Sequence, residues 1–109
     1  MAGPTALGTN DLMILLALMR LGDDAYGVPI ARELEECVGH VVALASVYAS
    51  LERLVERGLV TSELGEPTAE RGGRAKKYFR ITRRGLREVR SAKQLLITLW
   101  KDLPELGGA

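Results

Sequence analysis

Between Leu59 and Ile81 the spacing of apolar side chains changes from helical to alternating, and after Thr82 it returns to helical. Residues two apart share a strand face, whereas residues three or four apart share a helix face. A chain with one such interruption is therefore expected to set a two-stranded hairpin into an otherwise helical protein. Ahead of the interruption, Gly22, Gly39 and Gly58 each close a helically spaced stretch, as glycine commonly does just past a helix C-terminus. The expected order is three helices, a hairpin and a fourth helix, a mainly α fold.

The first helix follows a flexible lead-in over 1–8, with Thr9 or Asn10 as cap and Asp11 at the positive end of the helix dipole. Leu12, Leu15, Leu16 and Met19 form one stripe, and Ile14 and Leu18 widen it enough to require cover on a second side. The second helix is expected from about Tyr26 to Val38. Pro29 falls in its first turn, where a missing N–H is tolerated, and Cys37 is expected on its core stripe. A third helix is expected from Ser46, as N-cap, to Gly58. It should turn Val47, Leu51, Leu54 and Val55 inward and Tyr48, Ala49, Ser50 and Arg53 outward.

Leu59 to Leu64 and Lys76 to Ile81 then read as the hairpin strands, with a polar connection from Gly65 to Gly73. Adjacent Tyr78 and Phe79 must point to opposite faces of the ribbon. Thr82 can cap a last helix from Arg83 to about Leu103, a length of roughly 30 Å at 1.5 Å per residue. That exceeds what so small a core can cover, so its apolar residues call for a second copy of the chain, the commonest cover for such a surface. The expected division is a lead-in over 1–8, one compact domain over 9–82, a dimerisation helix over 83–103 and a flexible tail over 104–109.

The formal net charge of +1 over 109 residues conceals a strong polarity. From Arg71 to Arg90 nine bases face one acid, a balance of +8, while the remainder carries −7. A cationic hairpin on an acidic body suits an anionic partner. One cysteine, Cys37, and one histidine, His40, exclude an internal disulfide and the usual zinc ligand sets, so neither metal nor cofactor is expected. The apolar run from Leu12 to Met19 is eight residues long, short of the ~20 that span a bilayer, so a cytoplasmic protein with no membrane partner is expected. No paired carboxylates, phosphate loop or nucleophile set point to an enzyme.

Three helices, a hairpin and a helix is the order of a winged helix-turn-helix, in which the third helix enters the DNA major groove and the hairpin, or wing, touches the adjoining backbone. From Leu12 to Val89 the chain resembles the PadR family of transcriptional regulators. The likeness is carried by Tyr26-Gly27, the run from Ser46 through Tyr48 and Arg53 to Leu54, the exit Arg57-Gly58-Leu59-Val60, and the run from Gly73 to Gly85. Its short C-terminus resembles the subfamily with a single C-terminal helix. Where that family commonly has Leu-Tyr-Pro, this chain has Val47-Tyr48-Ala49, so no operator sequence is carried over.

The resemblance implies a homodimer on a palindromic operator, acting as a repressor released by a small-molecule effector. The expected DNA-facing set is Tyr26, Ser46, Tyr48, Ala49, Ser50, Arg53, Arg71, Gly73, Arg74, Lys76 and Lys77. The expected dimer surface is Leu12, Leu16, Leu86, Val89, Leu96, Leu99, Trp100 and Leu103. Trp100 is the side chain suited to stack on a flat apolar effector. A winged-helix module that binds protein instead of DNA stays open as the alternative, and salt dependence separates the two.

Overall fold

The computed structural model describes residues 7–66 and 75–104. Four helices, α1 (Thr9–Leu21), α2 (Gly27–Val38), α3 (Leu44–Glu56) and α4 (Arg83–Trp100), accompany an antiparallel hairpin of β1 (Val60–Leu64) and β2 (Lys77–Ile81). The hairpin register pairs Val60 with Ile81 and Leu64 with Lys77. A 3-10 turn, Gly22–Asp24, joins α1 to α2. Ile14, Leu15 and Leu18 of α1 meet Ile30 and Leu34 of α2 and Val47, Leu51 and Leu54 of α3 in one buried cluster, closed by Leu59, Val60, Phe79 and Val89.

The helix ends differ from expectation where backbone geometry overrides capping preference. Gly8, not Thr9 or Asn10, is the N-cap of α1, and its carbonyl accepts the Leu12 amide at 3.0 Å. α3 starts two residues before Ser46, with Ala43 as N-cap. The preceding segment is held by the Val42 amide, which donates to Glu35 Oε2 at 2.9 Å, so a tertiary bond sets the helix entry. α4 ends at Trp100 instead of near Leu103, with Lys101 extended and Asp102 at φ 60°. Pro104 follows, and a residue before proline is disfavoured in the helical region. Cys37, expected in the core, is exposed: the last turn of α2 runs beyond the packed stripe of Ile30, Ala31 and Leu34.

α3 leaves through a tight left-handed turn. Gly58 adopts φ +78°, its amide donates to the Val55 carbonyl, and the Leu59 amide reaches back to the Leu54 carbonyl, each at 3.0 Å. This is the Schellman pattern, with Leu54 and Leu59 both buried as its apolar pair. Thr82 locks the turn to the far end of the hairpin. Its amide donates to the Leu59 carbonyl at 3.0 Å and its hydroxyl to the Gly58 carbonyl at 2.8 Å, while the same Oγ1 accepts the Gly85 amide and caps α4 as expected.

A feature without sequence periodicity adds to the sheet. Phe79 donates its amide to the Ala25 carbonyl at 2.8 Å, and Tyr26 bridges Tyr78, so the segment before α2 pairs with the free edge of β2. Phe79 is buried and Tyr78 half-buried, on opposite faces as expected. β1 is exposed beyond Val60, so the hairpin stands away from the helical body.

The approach of α4 to the Leu59 backbone is close enough to require glycine. A β-carbon on Gly85 would lie 2.3 Å from the Leu59 carbonyl oxygen and 2.6 Å from Ile81 Cγ1. Gly85→Ala should lower unfolding free energy by about 1–3 kcal/mol, the usual range for overpacking. Urea denaturation of the variant checks this; a midpoint equal to that of the unsubstituted chain would refute the close packing.

Candidate nucleic-acid interface

α3 sends Val47, Leu51 and Leu54 into the core, which leaves its opposite side in solvent. In its first two turns the exposed residues are Leu44, Ala45, Ser46, Tyr48 and Ala49, none of them charged. The exposed acids Glu52 and Glu56 come later. The helix starts without a side-chain cap, and its N-terminus carries the positive end of the dipole. Its first half can therefore approach an anionic surface closely, while phosphate near its second half would meet carboxylates.

Beside this face, aromatic rings and lysines join α2, α3 and β2. Tyr26, the residue before α2, sets its ring edge-on to Tyr78 at 5.4 Å between centroids. The Lys76 ammonium lies over the Tyr26 ring at 4.5 Å. Tyr48 rests on the backbone of Gly27, where a β-carbon would come within 2.3 Å of the phenol oxygen, and tilts toward Phe79 at 6.3 Å. Lys77 sits over Phe79 and pairs with Glu52 at 3.5 Å. Such exposed pairs contribute about 1 kcal/mol or less, so both lysines can exchange these partners for phosphate.

Two expected contact residues are placed differently. Ser50 is 2 % exposed and faces inward, because it shares the side of α3 that carries Val47 and Leu54. Arg53 is exposed but turned back: its Nη2 donates to Ser50 Oγ at 3.1 Å and lies 3.5 Å from Asp11 Oδ1. Arg71, Gly73 and Arg74 lie outside the described residues. Tyr26, Ser46, Tyr48, Ala49, Lys76 and Lys77 are brought to neighbouring elements. Tyr78 and Gly27 were not among the expected contact residues, although both lie in the runs that carry the family likeness and Tyr78 was placed opposite Phe79.

The sequence model of the transcriptional regulator PadR-like family matches residues 15–91. The chain belongs to the PadR-like family. It is thus a transcriptional regulator, not an enzyme. Among solved structures it is similar to a PadR-like transcription factor of Bacteroides fragilis, with 26% identity, 86% of this chain and 85% of that one covered, and a TM-score of 0.75. A PadR family transcriptional regulator of Eggerthella lenta shares 26% identity over 84% of this chain and 77% of its own, at a TM-score of 0.67. A PadR-like regulator of Bacillus cereus, at 24% identity, 85% coverage of both chains and a TM-score of 0.70, shares the fold. No curated protein matches the sequence.

In this PadR-like chain α4 buries only Gly85, Val89 and Ala92, and every residue from Lys93 to Trp100 is exposed. Among the expected dimer residues, Val89 is already covered within the chain and Leu12 and Leu86 are half-buried. Leu16, Leu96, Leu99, Trp100 and Leu103 are exposed, Trp100 to 73%. Leu12, Leu16, Leu96, Ile97 and Trp100 line an apolar groove of about 340 Å³ between α1 and α4. Among the described residues no helix is long and apolar enough to cross a membrane.

The seat of Tyr48 on Gly27 is a direct test of the aromatic cluster. In Gly27→Ala the phenol ring must leave its place, and since that end of the side chain is free to swing, the melting temperature should fall by only a few degrees. Aromatic NMR should show the Tyr48 ring resonances shifted by loss of the neighbouring Phe79 ring. Unchanged Tyr48 shifts would show that the ring does not occupy this seat.

Proposed function

We propose that this PadR-like regulator binds double-stranded DNA sequence-specifically as a homodimer, with the first half of α3 in the major groove and the hairpin on the flanking backbone. The observation that carries this reading is the uncharged, small-sided start of α3 beside Lys77 of β2 and Lys76 just ahead of it. Major-groove entry needs a helix end that admits close approach to base edges, and positioning on the duplex needs cations beside it. Ser46, Tyr48 and Ala49 then face base edges and sugar. Lys76 and Lys77, with Arg71 and Arg74 of the hairpin connection, neutralise phosphate, and Tyr26 orients Lys76.

The exposed apolar end of α4 supports pairing with a second copy, which would place two α3 helices on the two halves of a palindromic operator. The same reading includes repression relieved by a small apolar effector stacked on Trp100 in the groove shared with Leu12 and Leu96. Acting on DNA in this way assigns the chain to the cytoplasm.

Fluorescence polarisation against the chain's own upstream duplex and a scrambled duplex tests DNA binding, and the expected result is tighter binding to the former at physiological salt. Lys76→Ala with Lys77→Ala should weaken both and reduce the salt slope by about 2, since each phosphate contact contributes roughly 0.9. Equal or absent binding would favour a protein partner. For the dimer, Leu96→Asp and Leu99→Asp should each sediment as monomers; intact dimers in both would refute pairing through α4.

A further inference from the structure

Asp11 lies in the first turn of α1, with its side chain only 15% accessible, and faces two arginines of the recognition helix and its exit. Its Oδ1 is 3.5 Å from Arg53 Nη2 and its Oδ2 is 3.7 Å from Arg57 Nη1. Oδ1 is buried and makes no hydrogen bond among the described residues. Both separations exceed the 2.7–3.2 Å of a formed hydrogen bond, so the carboxylate attracts the two guanidinium groups without locking either. Arg53 has a second tether in Ser50 Oγ.

Arg20 and Arg80 each pair with one carboxylate, Glu33 and Asp23, whereas the four arginines of α4 stand without a partner among the described residues. Arg83, Arg84, Arg87 and Arg90 are exposed in the first two turns of α4, and among the described residues none forms an ion pair. Like charges three and four residues apart and cations at a helix N-terminus are both unfavourable, yet the fold carries four of them. Stability therefore did not demand that every arginine be neutralised. Among the described residues, the pairing of two arginines on one carboxylate occurs only at the flank of α3.

We infer that Asp11 is a specificity-determining residue, a carboxylate on α1 that holds Arg53 and Arg57 off the DNA backbone. The inference rests on the DNA-binding reading above. An arginine beside the groove that was free to reach phosphate would strengthen binding to every sequence alike, because phosphate contacts carry no sequence information. Held at Asp11, the two arginines and the carboxylate carry one net positive charge between them, where the arginines alone carry two. Affinity then depends more on Ser46, Tyr48 and Ala49, which face the bases. A carboxylate that merely fastened α1 to α3 would have no effect on the number of phosphates neutralised.

The test is a salt series of polarisation titrations with the full chain on its own upstream duplex and on a scrambled duplex. Asp11→Asn should bind the scrambled duplex more tightly at low salt and narrow the ratio between the two duplexes. Between about 50 and 200 mM salt it should lose an additional three- to four-fold for each arginine released, a slope steeper by roughly 0.9 apiece. Adding Arg53→Gln and Arg57→Gln to Asp11→Asn should restore the original slope.

Asp11→Asn that weakens both duplexes at an unchanged slope would overturn the inference and leave Asp11 a structural tie. Should Asp11→Asn not fold, Arg53→Gln and Arg57→Gln in the otherwise unaltered chain decide. An unchanged slope on scrambled DNA supports holding, and a slope reduced by about 0.9 for each overturns it. An unsubstituted chain that shows no preference for its own DNA overturns the DNA-binding reading and this inference together, whereas a preference with no slope change in Asp11→Asn overturns this one alone.

Discussion

The turn at Gly58 and Leu59, with Thr82 bound across it, is the constraint on which the other elements depend. Five hydrogen bonds meet there: the amides of Gly58 and Leu59 close α3, the carbonyls of the same two residues are taken by Thr82, and the Thr82 hydroxyl caps α4 through Gly85. Loss of one of these bonds would leave a backbone group unpaired at a crowded junction, which costs more than the bond contributes. The junction fixes three directions at once. α3 stops, the hairpin departs from its end, and α4 begins where the hairpin returns. Whatever α3 and the hairpin bind together, their relative position is set by this knot and not by the exposed strands.

From there the charge of the chain acquires a geometry. The excess of bases between Arg71 and Arg90 divides by location. Lys76 and Lys77 lie along aromatic rings beside α3 and the four α4 arginines stand in solvent, while Arg53 and Arg57, outside that run, turn back toward Asp11. Arg80 pairs with Asp23 at 3.0 Å across the edge of the sheet. Surface pairs of this kind add little to stability. Their consequence is an α3 whose exposed face is uncharged at its start, with lysines on one side and arginines drawn toward Asp11 on the other.

α4 extends beyond the core. The largest dimension is 56 Å and the radius of gyration 16.2 Å, against about 13 Å for a compact chain of this size. The helix is buried in its first three turns only, and beyond them Lys93, Leu96, Ile97 and Trp100 line the groove it shares with α1. Because Leu12 lines that groove and Asp11 precedes it, the surface available to a second copy or an apolar ligand lies one residue from the carboxylate that faces α3.

Much of the architecture was legible in the sequence because it is written in periodicity. The shift from 3.6 to 2 and back located the hairpin, glycines marked three helix ends, and Thr82 announced the last helix; the family likeness rested on runs of residues in those same elements. Inward faces followed at Val47, Leu51 and Leu54, and the opposition of Tyr78 to Phe79 followed without saying which of the two is buried. Helix starts were less legible: the entry of α3 is set by Val42 and Glu35, seven residues apart in sequence. Ser50 and Arg53 were read as outward; Ser50 shares the buried side, while Arg53 is exposed but lies near Asp11 on another helix. The pairing of Ala25 and Tyr26 with β2 left no pattern at all. The sequence by itself determined which elements form, since local spacing and turn residues act over three or four positions. Only the tertiary structure decided which charges are free and which rings touch, because each depends on groups that meet in space from distant parts of the chain.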